Sequence, residues 1–113
     1  MPGERMRRVN EAVREVLSRR IAEGLKDPRI GFVTVTAVET SPDLRHARVF
    51  VSVLGDEEER ERSLAGLASS HGLLQAVIAT ELRMKRTPTL DFVYDESIDR
   101  GMRITELLDE NDG

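Results

Sequence analysis

The sequence predicts one α+β domain, and three observations carry that prediction. Apolar residues recur at helical spacing from Glu4 to Glu23 and again after Gly55. Two β-branched runs stand on either side of Ser41-Pro42-Asp43, and a third alternating run, Leu90 to Tyr94, follows Pro88. In chain order this reads helix, strand, strand, helix, kink, helix, strand. Each long helical segment has one apolar side. Together they cover one face of a three-stranded sheet and leave the opposite face partly open to solvent. A length of 113 residues suits one such domain.

In the first helix, Met6, Val9, Ala12, Val13, Val16, Leu17 and Ile21 form one stripe at spacings of three and four. Arg7 and Arg14 flank that stripe on one side, and Arg5, Arg8 and Arg19 on the other. Gly24 ends the helix as a left-handed cap that needs no Cβ. Asp27-Pro28-Arg29 makes a turn. Phe32 to Val38 is the first strand and Ala47 to Val53 the second. In the second, Val49, Val51 and Val53 share one face; Arg48, Phe50 and Ser52 share the other. The short connection makes the pair an antiparallel hairpin. A helix from about Glu57 carries the stripe Leu64, Leu67 and Ala68. Ser69-Ser70-His71-Gly72 interrupts it, Leu74, Val77, Ile78 and Leu82 resume it, and Pro88 stops it. Ile104, Leu107 and Leu108 dock as one short turn. The domain then spans 1–108, with an acidic tail at 109–113.

Composition bounds the function. At 39% hydrophobic and 34% charged, the chain builds one modest core. It has no cysteine, which excludes a disulfide scaffold, a thiolate metal site and cysteine catalysis. No apolar run reaches the roughly 20 residues that span a bilayer. Met1-Pro2-Gly3-Glu4 has no apolar stretch behind it, so a soluble cytoplasmic protein is expected. The net charge of −4 argues against nucleic acid until it is divided by segment. Residues 1–30 carry +3 and 64–90 carry +2; the acid lies at 55–63 (−3) and 91–113 (−6). A local patch, not the total, decides where a phosphate can sit.

Constellations for catalysis are thin. His46 and His71 are the two histidines, without metal spacing and without a nucleophile and orienting acid. Asp95-Glu96 and Asp99 match no Ca²⁺ loop, and no Gly-rich phosphate loop occurs. No catalytic residue, metal or cofactor is predicted. The kink is more informative. A helix starting just after Gly72 presents free backbone N–H groups and a positive dipole end, which suit a phosphate. The plainer alternative is a packing kink with no ligand. Arg83, Lys85 and Arg86 lie at the far end of the same helix. Phe32, Phe50, Phe92 and Tyr94 are too few for a base-stacking platform. Backbone and shape recognition of folded RNA fits better, because it uses Arg, Lys and helix N-termini.

These motifs, in this order, resemble the bacterial ribosome-binding factor A family over about residues 4–108. The resemblance rests on Arg7-Arg8-Val9-Asn10-Glu11, Asp27-Pro28-Arg29, Val33-Thr34-Val35-Thr36-Ala37-Val38 and Ser41-Pro42-Asp43-Leu44. It continues through Ala47 to Val53, Pro88 to Ser97, and Gly101-Met102-Arg103-Ile104-Thr105-Glu106-Leu107-Leu108. It implies a type II KH-like fold with an Ala-x-Gly kink in place of the usual G-x-x-G loop. Ser70-His71-Gly72 stands at that kink, with Ser70 replacing Ala and its hydroxyl available to cap the next helix. Gln75 stands where the family commonly has Arg. Lys85 stands where it often has Arg, which keeps the charge and loses the bidentate fork.

The resemblance implies a monomeric, non-enzymatic assembly factor. It implies binding to the immature small (30S) ribosomal subunit and its 16S rRNA, near the decoding region. It further implies support of late maturation and rRNA end-processing, release before translation, and greatest importance in the cold. The candidate RNA contacts are Arg7, Arg8, Arg14, Arg19, Arg29, Arg45, Arg48, Arg83, Lys85 and Arg86, with Ser70, His71, Gly72 and Gln75 at the kink. No membrane contact is expected. Three rivals remain: a KH-like module for another RNA or the mature ribosome, a small α+β hydrolase, and a protein-interaction domain using the open sheet face.

Overall fold

The apolar periodicities and the elements they predict coincide in the computed structural model, which describes residues 3–97. The elements are α1 (Glu4–Glu23), β1 (Val33–Thr40), β2 (His46–Val53), α2 (Glu57–Ser69), α3 (His71–Leu82) and β3 (Thr89–Tyr94). The turn expected at Ile104 to Leu108 and the acidic tail lie outside the described residues. β2 is the central strand, antiparallel to β1 and parallel to β3. The α2–α3 crossover is what allows the parallel pairing.

Alternate residues of β2, Ala47, Val49, Val51 and Val53, are buried under the helices. Val13, Val16, Leu17 and Ile21 of α1, Leu67 of α2, and Leu74 and Ile78 of α3 complete the core with Val35, Val38 and Leu90. Each fully buried Leu or Ile contributes on the order of 1.5–3 kcal/mol. α1 lies over β1 beside α3, while α2 and α3 lie over β3. On the other face the register sets Ala37, Phe50 and Val93 in one row and Glu39, Arg48 and Asp91 in the next. This is an α+β, KH-like architecture with helices on one face of a three-stranded sheet.

Five local readings are corrected. β1 is not simply alternating: Val35 faces Val51 and Ala37 faces Phe50, so Thr36 is an extra residue in a bulge. That residue flips the alternation, and Val38 rather than Ala37 returns to the core. Gly24 does take a positive φ of 101°, which a glycine accepts, but its ψ of 139° lies outside the left-handed helical region, so it is not a left-handed cap. The inner side of α2 is Ser63, Gly66 and Leu67; Ala68 is exposed and Leu64 only partly covered. Ser70 alone separates α2 from α3, so His71 and Gly72 are already in the second helix. Finally, α3 ends at Leu82 because Arg83 turns left-handed (φ 49°, ψ 42°), well before Pro88, which is buried at the head of β3.

The inner side of α2 is small because a loop packs against it. Gly31 N–H donates to Ser63 Oγ at 3.0 Å. A Cβ on Gly66 would stand 2.6 Å from Ile30 Cγ1. Arg29 Nη2 reaches Ser69 Oγ at 2.9 Å. Three small residues at i, i+3 and i+6 thus dock residues 27–31 on one helix face.

Candidate nucleic-acid interface

The strand directions divide the candidate residues between two ends of the sheet. β2 and β3 both start at the end where the β1–β2 turn lies, and Thr89 N–H donates to Arg45 O at 2.8 Å there. The segment holding Arg83, Lys85 and Arg86 therefore arrives beside that turn. Asn10 Oδ1 accepts from Thr40 N–H at 2.9 Å, which brings the N-terminal half of α1, with Arg7 and Arg8, to the same end. Arg7 and Arg14 border a shallow groove against Thr36, Ala37 and Val38 of β1. The kink lies at the opposite end, with the 27–31 loop.

Half of the ten basic candidates already hold an acid. Arg8 pairs with Glu4 at 3.4 Å, and Arg14 pairs with Glu11. Arg19 bridges from α1 to Glu81 of α3 at 2.8 Å. Arg29 pairs with Asp27 at 2.6 Å, and Arg45 approaches Asp43 at 3.8 Å. Arg7, Arg48, Arg83, Lys85 and Arg86 make no ion pair among the described residues, and all five are exposed. A cation with no acid partner is available to phosphate without breaking an existing bond, so these five are the stronger candidates. Four of them, Arg48 included, lie toward the turn end; Arg7 is nearby on α1. Arg83 also caps α3, where the negative end of the helix dipole favours a cation.

The turn itself is held by its own acid. The Ser41 hydroxyl, then the Arg45 backbone N–H, bind the Asp43 carboxylate and hold its pKa below the usual range. At the kink end, Asp27 is drawn down to about 2, first by the Arg29 guanidinium and then by the Arg29 backbone N–H. Arg29 is thereby spent on two partners, Asp27 and Ser69.

The kink is a tight joint. Ser70 N–H donates to Gly66 O and Leu67 O, and Ser70 O accepts from Leu74 N–H. Its hydroxyl makes no cap to α3, contrary to expectation. His71 Nδ1 lies 2.7 Å from Ala68 O. Gly72 has no positive φ, and a Cβ there would meet nothing within 4 Å. The bend therefore comes from Ser70, not from a glycine conformation. Gln75 Oε1 is buried and finds no hydrogen-bond partner. Two features escaped the sequence reading: the pairing that separates the basic residues into two groups, and the small-residue stripe of α2. The Ser63, Gly66 and Ser69 spacing was the available signal for the second.

A family model described as ribosome-binding factor A matches residues 5–108. The ribosome-binding factor A of Heliobacterium modesticaldum is 47% identical over 110 residues, covering 97% of this chain and 91% of that protein. The crystal structure of ribosome-binding factor A from Thermus thermophilus superposes with a TM-score of 0.69 at 30% identity, covering 79% of this chain and 94% of that one. A homology model of the Thermus thermophilus factor, fitted into a cryo-EM map of its 30S complex, gives a TM-score of 0.65 at 31% identity, over 77% of this chain and 91% of that one.

Proposed function

The chain belongs to the ribosome-binding factor A family, and from that premise we propose that it binds the small ribosomal subunit and its precursors. It acts there without chemistry of its own, docking on 16S rRNA near the decoding region and holding a conformation during late maturation and end-processing. It leaves before translation and matters most in the cold. It works as a monomer in the cytoplasm.

The observation that carries this reading is the turn end of the sheet, where Arg83, Lys85 and Arg86 stand exposed and make no ion pair among the described residues, in the segment that leads to Thr89 against Arg45. The 30S complex of the Thermus thermophilus relative supports the choice of target. Each Lys or Arg that neutralises a phosphate releases a counterion, so affinity falls as salt rises. Gradient sedimentation of a lysate tests this. The protein is expected to travel with free small subunits at low salt and to leave them at high salt. Its presence only at the top of a low-salt gradient that contains small-subunit precursors would sink the proposal. Cells lacking the protein are expected to accumulate unprocessed 16S precursor on cooling.

A further inference from the structure

At the end of the sheet away from the basic turn, two large apolar side chains stand in solvent. Phe32 is 80% exposed and Leu54 is 74% exposed. They are neighbours: Leu54 N–H donates to Phe32 O at 3.0 Å, one step beyond the Val33–Val53 pair. Val33 and Val53 pack toward the core, so alternation turns Phe32 and Leu54 outward. Covering them removes apolar surface from water, which favours a contact there.

The rim of this pair is acidic. Asp56 caps α2, accepting from Glu59 N–H at 2.8 Å, and Glu57, Glu58 and Glu59 fill the first turn. Gly55 has φ of 133°, and a Cβ there would fall on the Glu59 side chain, which folds back against Leu54's neighbour. Asp95 stands one row along the open face, its backbone N–H donating to Val51 O at 2.8 Å. Its carboxylate is bonded to Thr36 and Ser97. Arg60, the first cation of α2, is turned over the Tyr94 ring at 3.6 Å.

We propose that Phe32 and Leu54, rimmed by the acids of the α2 first turn, dock a basic protein segment that carries apolar side chains. The exposed pair makes the contact, and the charge selects the occupant: a phosphate backbone is repelled here, whereas Lys and Arg beside an apolar anchor are attracted. This surface is separate from the basic turn, so one molecule presents a face to RNA and another to protein.

Photocrosslinking tests it. The full chain, with p-benzoylphenylalanine replacing Phe32, is irradiated in cells and its cross-linked peptides are sequenced by mass spectrometry. Cross-links to peptides of another protein with more Lys and Arg than Asp and Glu are expected. Their yield should fall about fivefold when Glu57→Gln, Glu58→Gln and Glu59→Gln are combined. Cross-links to RNA, to a second copy of the chain or to its own residues 98–113 overturn the proposal. So do an absence of protein cross-links and a yield indifferent to the three substitutions. Sedimentation of the same labelled chain with small subunits reads the RNA proposal separately.

Discussion

The two ends of α3 are about 18 Å apart, and they hold their charges in opposite ways. At the kink end, Arg29 is bound by Asp27 and Ser69, and the loop that carries it is pressed against a face of small residues. At the other end, Arg83, Lys85 and Arg86 stand in solvent without an acid among the described residues. Both ends look basic in sequence. Pairing, which depends on what folds nearby, distinguishes a cation used for structure from one available to a ligand.

The comparison makes Gly66 a packing requirement, and the largest effect is expected there. Gly66→Val drives a side chain into Ile30 Cγ1, 2.6 Å from the added Cβ. A loss of about 2–3 kcal/mol in urea unfolding is expected, in line with overpacking of a filled site. A loss below about 0.5 kcal/mol, the usual surface value, breaks the claim that this end is a packed joint.

Next is the basic end. Arg83→Ala, Lys85→Ala and Arg86→Ala together are expected to weaken binding to small-subunit RNA about tenfold and to lower the log–log salt slope by about 2–3. Urea stability should fall by less than about 1 kcal/mol, the size of the Arg83 charge at the α3 dipole end, because these three side chains make no ion pair among the described residues. Arg29→Ala should change the salt slope by less than about 1. An equal loss from Arg29→Ala removes the distinction between the ends.

Much of this was legible in the residues. The stripes of α1 and α3 and the alternation of β2 and β3 were clear because long periodic runs leave one way to bury their apolar side. The bulge at Thr36 was not, since one added residue changes register without changing composition. Pro88 is the strongest helix breaker in view after α3, whereas the left-handed residue that ends the helix is Arg83, whose identity announces nothing. The stripe Ser63, Gly66 and Ser69 is neither apolar nor charged and so gives no periodic signal; its meaning lies in a loop 32 to 40 residues upstream. Neither charge nor the family resemblance tells which of the ten basic residues holds an acid; no sequence rule says that Arg19 meets Glu81.

Gly72 sharpens the same contrast with the opposite sign from Gly66. It lies in the first turn of α3, with no positive φ and open space where a Cβ would be. Gly72→Ala is expected to stabilise the protein by about 0.5–1 kcal/mol, the helix-interior difference between the two residues. Thermal or urea unfolding reads it. Destabilisation would mean that the bend needs a glycine after all and does not come from Ser70.

The smallest effect is the pH dependence that Asp27 brings to the kink end. Asp27 ionises near 2 in the folded chain against an ordinary 3.8, because the Arg29 guanidinium and backbone N–H bind its charged form. A folded pKa below the unfolded one adds stability that is complete above the unfolded value and disappears as pH falls through the folded one. The window therefore runs from about 4 down to about 2. Glu11, Asp43 and Asp95 are lowered as well, so the whole protein weakens in acid for several reasons. Asp27→Asn isolates this one: its stability deficit relative to the parent should shrink as pH drops from 5 to 2. The triple substitution at Arg83, Lys85 and Arg86 should leave the same pH profile unchanged, since no carboxylate among the described residues depends on those cations. A deficit for Asp27→Asn that stays constant across the window would show that Arg29 is not held by this pair, and the kink end would then have a free cation after all.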